Sequence, residues 1–126
     1  MINNNFDNDV DTKMPKILNS NDIKLNIYFS DSDILTSNSN LEITDKGLYS
    51  ISKPKDADWI TDKIKESLKN DANTLTISDI TAGIGGNLIN FSKYFKFVFG
   101  IEYDKTHFNV LKNNINALKL NNTNII

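Results

Sequence analysis

An α/β fold built on a parallel sheet is what three features of this 126-residue chain predict. The stretch Thr74 to Tyr103 reads as a strand, a glycine turn, a helix and a second strand ending in an acid. That second strand, Phe97 to Ile101, is almost continuously apolar, as expected of a parallel strand covered on both faces. Between the strands the apolar period changes, so that Leu88, Phe91 and Phe95 form a helical stripe.

The elements follow in order. Residues 1–21 are polar, rich in Asn and Asp and aperiodic, which predicts a disordered leader. Residues 22–53 read as an extension with short strands. Ile23, Leu25, Ile27 and Phe29 alternate with polar residues as in a half-buried strand, and Ser30 to Asn40 reads as a polar loop. Leu41 to Ile51 offers one or two further short strands around Asp45-Lys46-Gly47. Residues 54–126 form the main unit. Pro54 stops the extended run and Asp56 caps a helix reaching about Lys69, with Ala57, Ile60, Ile64 and Leu68 on one face. Strand one spans Thr74 to Ile80. Asp104 caps a helix carrying Phe108, Leu111, Ile115 and Leu118, and Ile125-Ile126 open a third strand.

Composition narrows the function classes. Net charge is −2, but residues 1–45 hold three lysines against eight acids, and residues 46–126 hold eleven against eight. The main unit is thus mildly basic, compatible with a phosphorylated partner. Cysteine is absent, which excludes disulfides and thiolate metal sites. No apolar run approaches the roughly 20 residues that span a bilayer, and no signal peptide is recognisable. The expectation is a soluble, intracellular protein without membrane contact. Asp31, Asp33, Ser37, Ser39 and Glu42 fall at calcium-loop spacing, but Leu35 and Thr36 occupy a ligand position and the glycine position. A solvated loop is therefore the better reading, and no metal is expected.

The chemistry concentrates at the glycine turn. A parallel strand delivers the chain to the carboxyl edge of the sheet, where a turn with little side-chain bulk lets a ligand touch bare backbone. Glu102, closing strand two, can accept hydrogen bonds from two ribose hydroxyls. Gly83 and Gly85 fit the start of a dinucleotide fingerprint, but Leu88 stands where its third glycine belongs, and the Gly-Lys-Ser/Thr of a P-loop is missing. These residues read as half of a nucleotide-type cofactor site. His107, alone in the first turn of a helix, is read as a solvated or half-buried side chain rather than a catalytic one.

The run Asp79-Ile80-Thr81-Ala82-Gly83-Ile84-Gly85-Gly86-Asn87, continuing to Ser92, resembles motif I of the class I S-adenosylmethionine-dependent methyltransferases. More narrowly it resembles the trimethylguanosine synthase family of RNA cap guanine-N2 methyltransferases, which includes versions carried by large DNA viruses. Gly100 to Asp104 is similar to that family's second motif, and Gly47 to Pro54 to its entry segment. The resemblance covers about residues 47–126. It implies a Rossmann-like fold, S-adenosyl-L-methionine as cofactor and capped RNA as substrate, in the cytoplasm or nucleus of a cell (a host cell if viral). It implies cofactor contacts at Asp79, Thr81, Ala82, Gly83, Gly85, Gly86, Asn87, Glu102 and Tyr103. The family's Asp-Pro-Pro-Trp-like motif after a fourth strand is not in this sequence, so no catalytic residue is assigned. The resemblance further implies an amino-terminal half of the sheet, with strand one a free edge that a partner chain or further polypeptide completes. Alone, such a chain would bind cofactor weakly and turn nothing over. Other tRNA, rRNA or DNA methyltransferases and a non-catalytic methyltransferase-like subunit are the competing expectations.

Overall fold

A computed structural model describes residues 14–126. Three parallel strands, β1 (Thr76–Asp79), β2 (Phe97–Gly100) and β3 (Thr123–Ile125), pair in the order β1-β2-β3. The register sets Thr76 against Phe97 and Asp79 against Gly100, then Val98 against Thr123. Five α-helices accompany them among the described residues: α1 (Asp31–Thr36), α2 (Gly47–Ser50), α3 (Pro54–Ser67), α4 (Gly86–Ser92) and α5 (Lys105–Ala117).

The crossover helices α4 and α5 form as their apolar spacing dictates. Leu88, Phe91, Phe95 and Leu111 are all buried and meet Val98 of β2 in one core cluster. Asp104 caps α5 as expected, its Oδ1 accepting from the His107 N–H at 2.8 Å. Helix α3 begins three residues earlier than predicted, with Lys53 rather than Asp56 at the cap position. Pro54 occupies the first helical position, where its missing N–H costs nothing and its fixed φ suits the helix.

Strand β2 departs from expectation in one respect. Phe99 is 36% exposed and Ile101 41%, so only the face bearing Val98 and Gly100 is covered. Strand β1 pairs on one side only, leaving its other edge unpaired among the described residues.

The extension differs more. Residues 1–13 of the predicted leader lie outside the described residues. Its last residues are tied down: Ile17 bridges Thr44 in antiparallel sense, and the Leu18 N–H donates to the Ile43 carbonyl at 2.9 Å. The predicted strand at Ile23 to Phe29 is instead a 3₁₀ turn, Leu25–Ile27. Alternation alone does not make a strand where no partner edge lies alongside, and of these four residues only Phe29 is fully buried. The predicted loop at Ser30 to Asn40 contains α1, capped by Ser30 Oγ on the Asp33 N–H at 3.1 Å and begun with two acids. Asp33 is engaged by Lys93 Nζ at 3.1 Å. Leu41 to Ile51 forms no ladder beyond that single bridge, and its end winds into α2.

Phe29, Leu41 and Ile43 pack with Ile84, Ile89, Val110 and Leu118 in a second core cluster beneath the glycine turn. One polar side chain fixes the register of this packing. Asn114, fully buried in α5, accepts from the Glu42 N–H at 2.8 Å and donates to the carbonyls of Glu42 at 3.1 Å and Ile84 at 3.0 Å. Replacing it strands three backbone groups. Asn114→Ala is expected to cost about 3 kcal/mol, read as a lower urea midpoint with little change in slope.

Candidate cofactor cleft

The turn after β1 bends by left-handed backbone at two glycines, Gly83 (φ 57°) and Gly85 (φ 109°). They serve different ends. A Cβ on Gly83 would meet nothing within 4 Å, so this residue faces open space. A Cβ on Gly85 would lie 3.0 Å from Leu111 Cδ1 and 3.2 Å from Ile89 Cδ1, so Gly85 seats the turn on the core. Gly86 lets the chain pass beneath residues 51–52, where a Cβ would approach the Ser52 carbonyl oxygen to 2.6 Å.

Glu102 closes the turn. Its Oε2 accepts from the Gly83 N–H at 2.7 Å and its Oε1 from the Asp104 N–H at 2.8 Å. Each carboxylate oxygen has two acceptor sites, so one on each stays free, the arrangement a vicinal diol needs. Asp79 completes the floor, its Oδ1 accepting from the Thr81 N–H at 3.1 Å. Burial pushes the Asp79 carboxyl above its ordinary value of 3.8; the Thr81 N–H pulls it down, and the nearby Glu102 charge adds to the rise.

These groups border a cleft of about 290 Å³. Of the residues expected at the site, Asp79, Thr81, Ala82, Gly83, Gly86, Asn87 and Glu102 line it together. Gly85 lies beneath, and Tyr103 projects fully into solvent instead of lining the cleft. Ser50, Ile51, Ser52, Ile84 and His107 also line it. The entry-segment resemblance at Gly47–Pro54 was the signal for the serines; His107 is half-buried, as its place in the first turn of a helix suggested, but nothing in the sequence placed it at the cleft. His107 Nε2 lies 2.8 Å from Thr44 Oγ1. A hollow of about 650 Å³ between Ser37–Glu42 and α5 gathers none of the expected residues.

Two features of the cleft suit a ligand with hydrogen-bond donors. Asn87 Oδ1 is buried without a hydrogen-bond partner, and the space above Gly83 is empty of side chains. The charge of Asp79 makes a further prediction. A carboxyl held above its ordinary pKa keeps its proton longer folded than unfolded, so stability falls as pH rises from about 3.8 through the folded value. Asp79→Asn should remove that fall. Its melting temperature should match wild type in acid and exceed it at neutral pH, as thermal melts across pH 3–7 would show.

A strand, an open glycine turn, a helix and an acid clamped back onto the turn are the parts of a nucleotide-type site at the carboxyl edge of a parallel sheet. Residues 74–125 match the family model described as RNA cap guanine-N2 methyltransferase. Over these residues the chain is thus similar to a family of RNA methyltransferases.

Over 50 residues, 40% of this chain, the sequence is 46% identical to the uncharacterized protein L320 of Acanthamoeba polyphaga mimivirus, of which the match covers 20%. Three solved structures are similar. An rRNA methylase from Streptococcus thermophilus is 18% identical, with a TM-score of 0.49 over 60% of this chain and 43% of its own. TYW2 from M. jannaschii, solved in complex with AdoMet, is 28% identical, with a TM-score of 0.45 over 68% and 38%. Trm5b from Pyrococcus abyssi is 20% identical, with a TM-score of 0.49 over 68% and 25%. The chain thus spans a minor part of each relative. No helix among the described residues is long and apolar enough to cross a membrane.

Proposed function

We propose that this chain carries the cofactor-binding part of an S-adenosylmethionine-dependent RNA methyltransferase acting on the guanine-N2 of capped RNA. The observation that carries the reading is the Glu102 carboxylate, bonded to the Gly83 N–H at 2.7 Å and still able to accept from two hydroxyls. In this reading Glu102 holds the ribose, Gly83 and Gly86 admit the ligand to the backbone, and Gly85 keeps the turn seated. Asp79, Thr81 and Ala82 line the methionine end, and the unpartnered Asn87 Oδ1 accepts a hydrogen from the ligand. Tyr103 reaches the adenine only by turning in from solvent.

When bound, the cofactor supplies an electrophilic methyl group on a sulfonium centre. The chain's own contribution is to bind, orient and partly desolvate, which is most of what an amine attacking such a methyl requires. The bare β1 edge and the exposed Phe99 and Ile101 are proposed to be covered by further polypeptide, which would supply the second wall and the groups that hold the target base.

Calorimetric titration with S-adenosylmethionine tests the cofactor reading. Saturable binding at one site is expected, and no heat at millimolar ligand would overturn it. Cap recognition is tested separately by titrating the cofactor-loaded protein with m7GpppG and with GpppG. Preference for the methylated dinucleotide supports the cap substrate, and equal binding favours another RNA.

A further inference from the structure

We infer that His107 is a positioning residue that locks the amino-terminal wall of the cleft to the acid loop on the other side. The inference rests on reading the cleft as a cofactor site. It starts from Thr44, whose side chain is fully buried and whose Oγ1 accepts from the Gly47 N–H at 2.7 Å. The same oxygen lies 2.8 Å from His107 Nε2. With the Gly47 N–H already donated to this oxygen, the assignment that leaves no buried hydrogen unpartnered has the Thr44 hydroxyl donating to Nε2. In this assignment Nε2 is the acceptor.

The link matters because of what stands on each side. Gly47 opens α2, which runs directly into Ser50–Ser52, the wall of the cleft. That wall is in close contact with the glycine turn at two points. A Cβ on Gly47 would come 2.8 Å from Ile84 Cδ1, and one on Gly86 would come 2.7 Å from Ile51 Cγ1. On the other side, the His107 N–H is held by Asp104, whose own N–H is held by Glu102. An unbroken run of hydrogen bonds therefore joins the carboxylate proposed to grip the ribose to the wall facing it. His107 is the only side chain in that run that borders the cleft and reaches across to the extension.

The test compares His107→Ala, His107→Gln and Thr44→Val with wild type in two measurements. The first is amide hydrogen exchange at Gly47, Leu48, Ser50 and Ile51 without ligand. The second is S-adenosylmethionine affinity by calorimetry. His107→Ala and Thr44→Val should each speed exchange in this segment about five- to tenfold, with amides of β2 unchanged, and weaken cofactor binding by a similar factor. The double variant should be no worse than Thr44→Val alone, which breaks the same link and also removes the acceptor of the Gly47 N–H. Glutamine, able to place an acceptor near the Nε2 position, should restore most of both. Unchanged exchange at Gly47–Ile51 in His107→Ala, acceleration spread evenly over the protein, or no rescue by glutamine overturns the inference. If wild type binds no cofactor, the cofactor reading fails, while the exchange measurement still decides whether His107 holds the wall.

Discussion

Glu102→Ala is expected to weaken S-adenosylmethionine binding by about 100-fold or more and to destabilise the ligand-free fold as well. The carboxylate does two jobs. It is the proposed acceptor for both ribose hydroxyls, and it fixes the turn through the N–H groups of Gly83 and Asp104. Hydrogen bonds to a charged acceptor contribute about 1.5–3 kcal/mol each when buried, and this site is half-buried, so a combined stability loss of about 2–3 kcal/mol is reasonable. Glu102→Gln separates the two jobs. It keeps an acceptor for one N–H but turns an amide donor toward the other, so it should bind about tenfold more weakly than wild type. Calorimetry on both variants, with urea melts alongside, reads the two effects independently. Undiminished affinity in Glu102→Ala would show that the ribose is not held there.

Gly85→Val should be the most damaging single change in the turn, with an expected loss of about 2–5 kcal/mol. At φ 109° any β-branched side chain is strained, which costs about 1–3 kcal/mol. Its methyls would also press on Leu111 and Ile89, already 3.0 and 3.2 Å from where a Cβ would sit, adding the roughly 1–3 kcal/mol of an overpacked core. That sum approaches the whole stability of a small domain. Gly83→Ala provides the contrast. Its Cβ meets no protein atom, so the stability cost is only the left-handed strain of about 1 kcal/mol, yet the methyl enters the space proposed for the ligand. Thermal melts should therefore separate the two glycines strongly, while cofactor titration should show both variants impaired. Equal melting temperatures for the two would contradict the packing role given to Gly85.

The strand, glycine turn, helix and acid were legible because their signals are local. Strand, turn, helix and acid follow one another within thirty residues, and each obeys a rule of spacing or capping that neighbours in sequence can satisfy. Seven of the nine expected contacts accordingly line the cleft. Gly85 and Tyr103 do not line it, because which way a residue in a tight turn or at a strand end faces depends on what packs behind it. Ser30 followed by Asp33 was a helix start that could have been recognised from its capping pattern.

The sequence by itself determined the order β1, glycine turn, α4, β2, acid and α5, and with it the cofactor chemistry the turn can support. Tertiary structure alone decided the shape of residues 14–53. There Phe29, Leu41 and Ile43 are buried by contact with Ile84, Ile89 and Val110, residues far away along the chain. It also made Asn114, an unremarkable polar residue in a helix, the tie between extension and turn, and brought His107 to Thr44 across 63 residues. The physical reason is one of range. Backbone propensity and caps act over a few residues, whereas burial and the pairing of buried polar groups are settled only when distant segments meet.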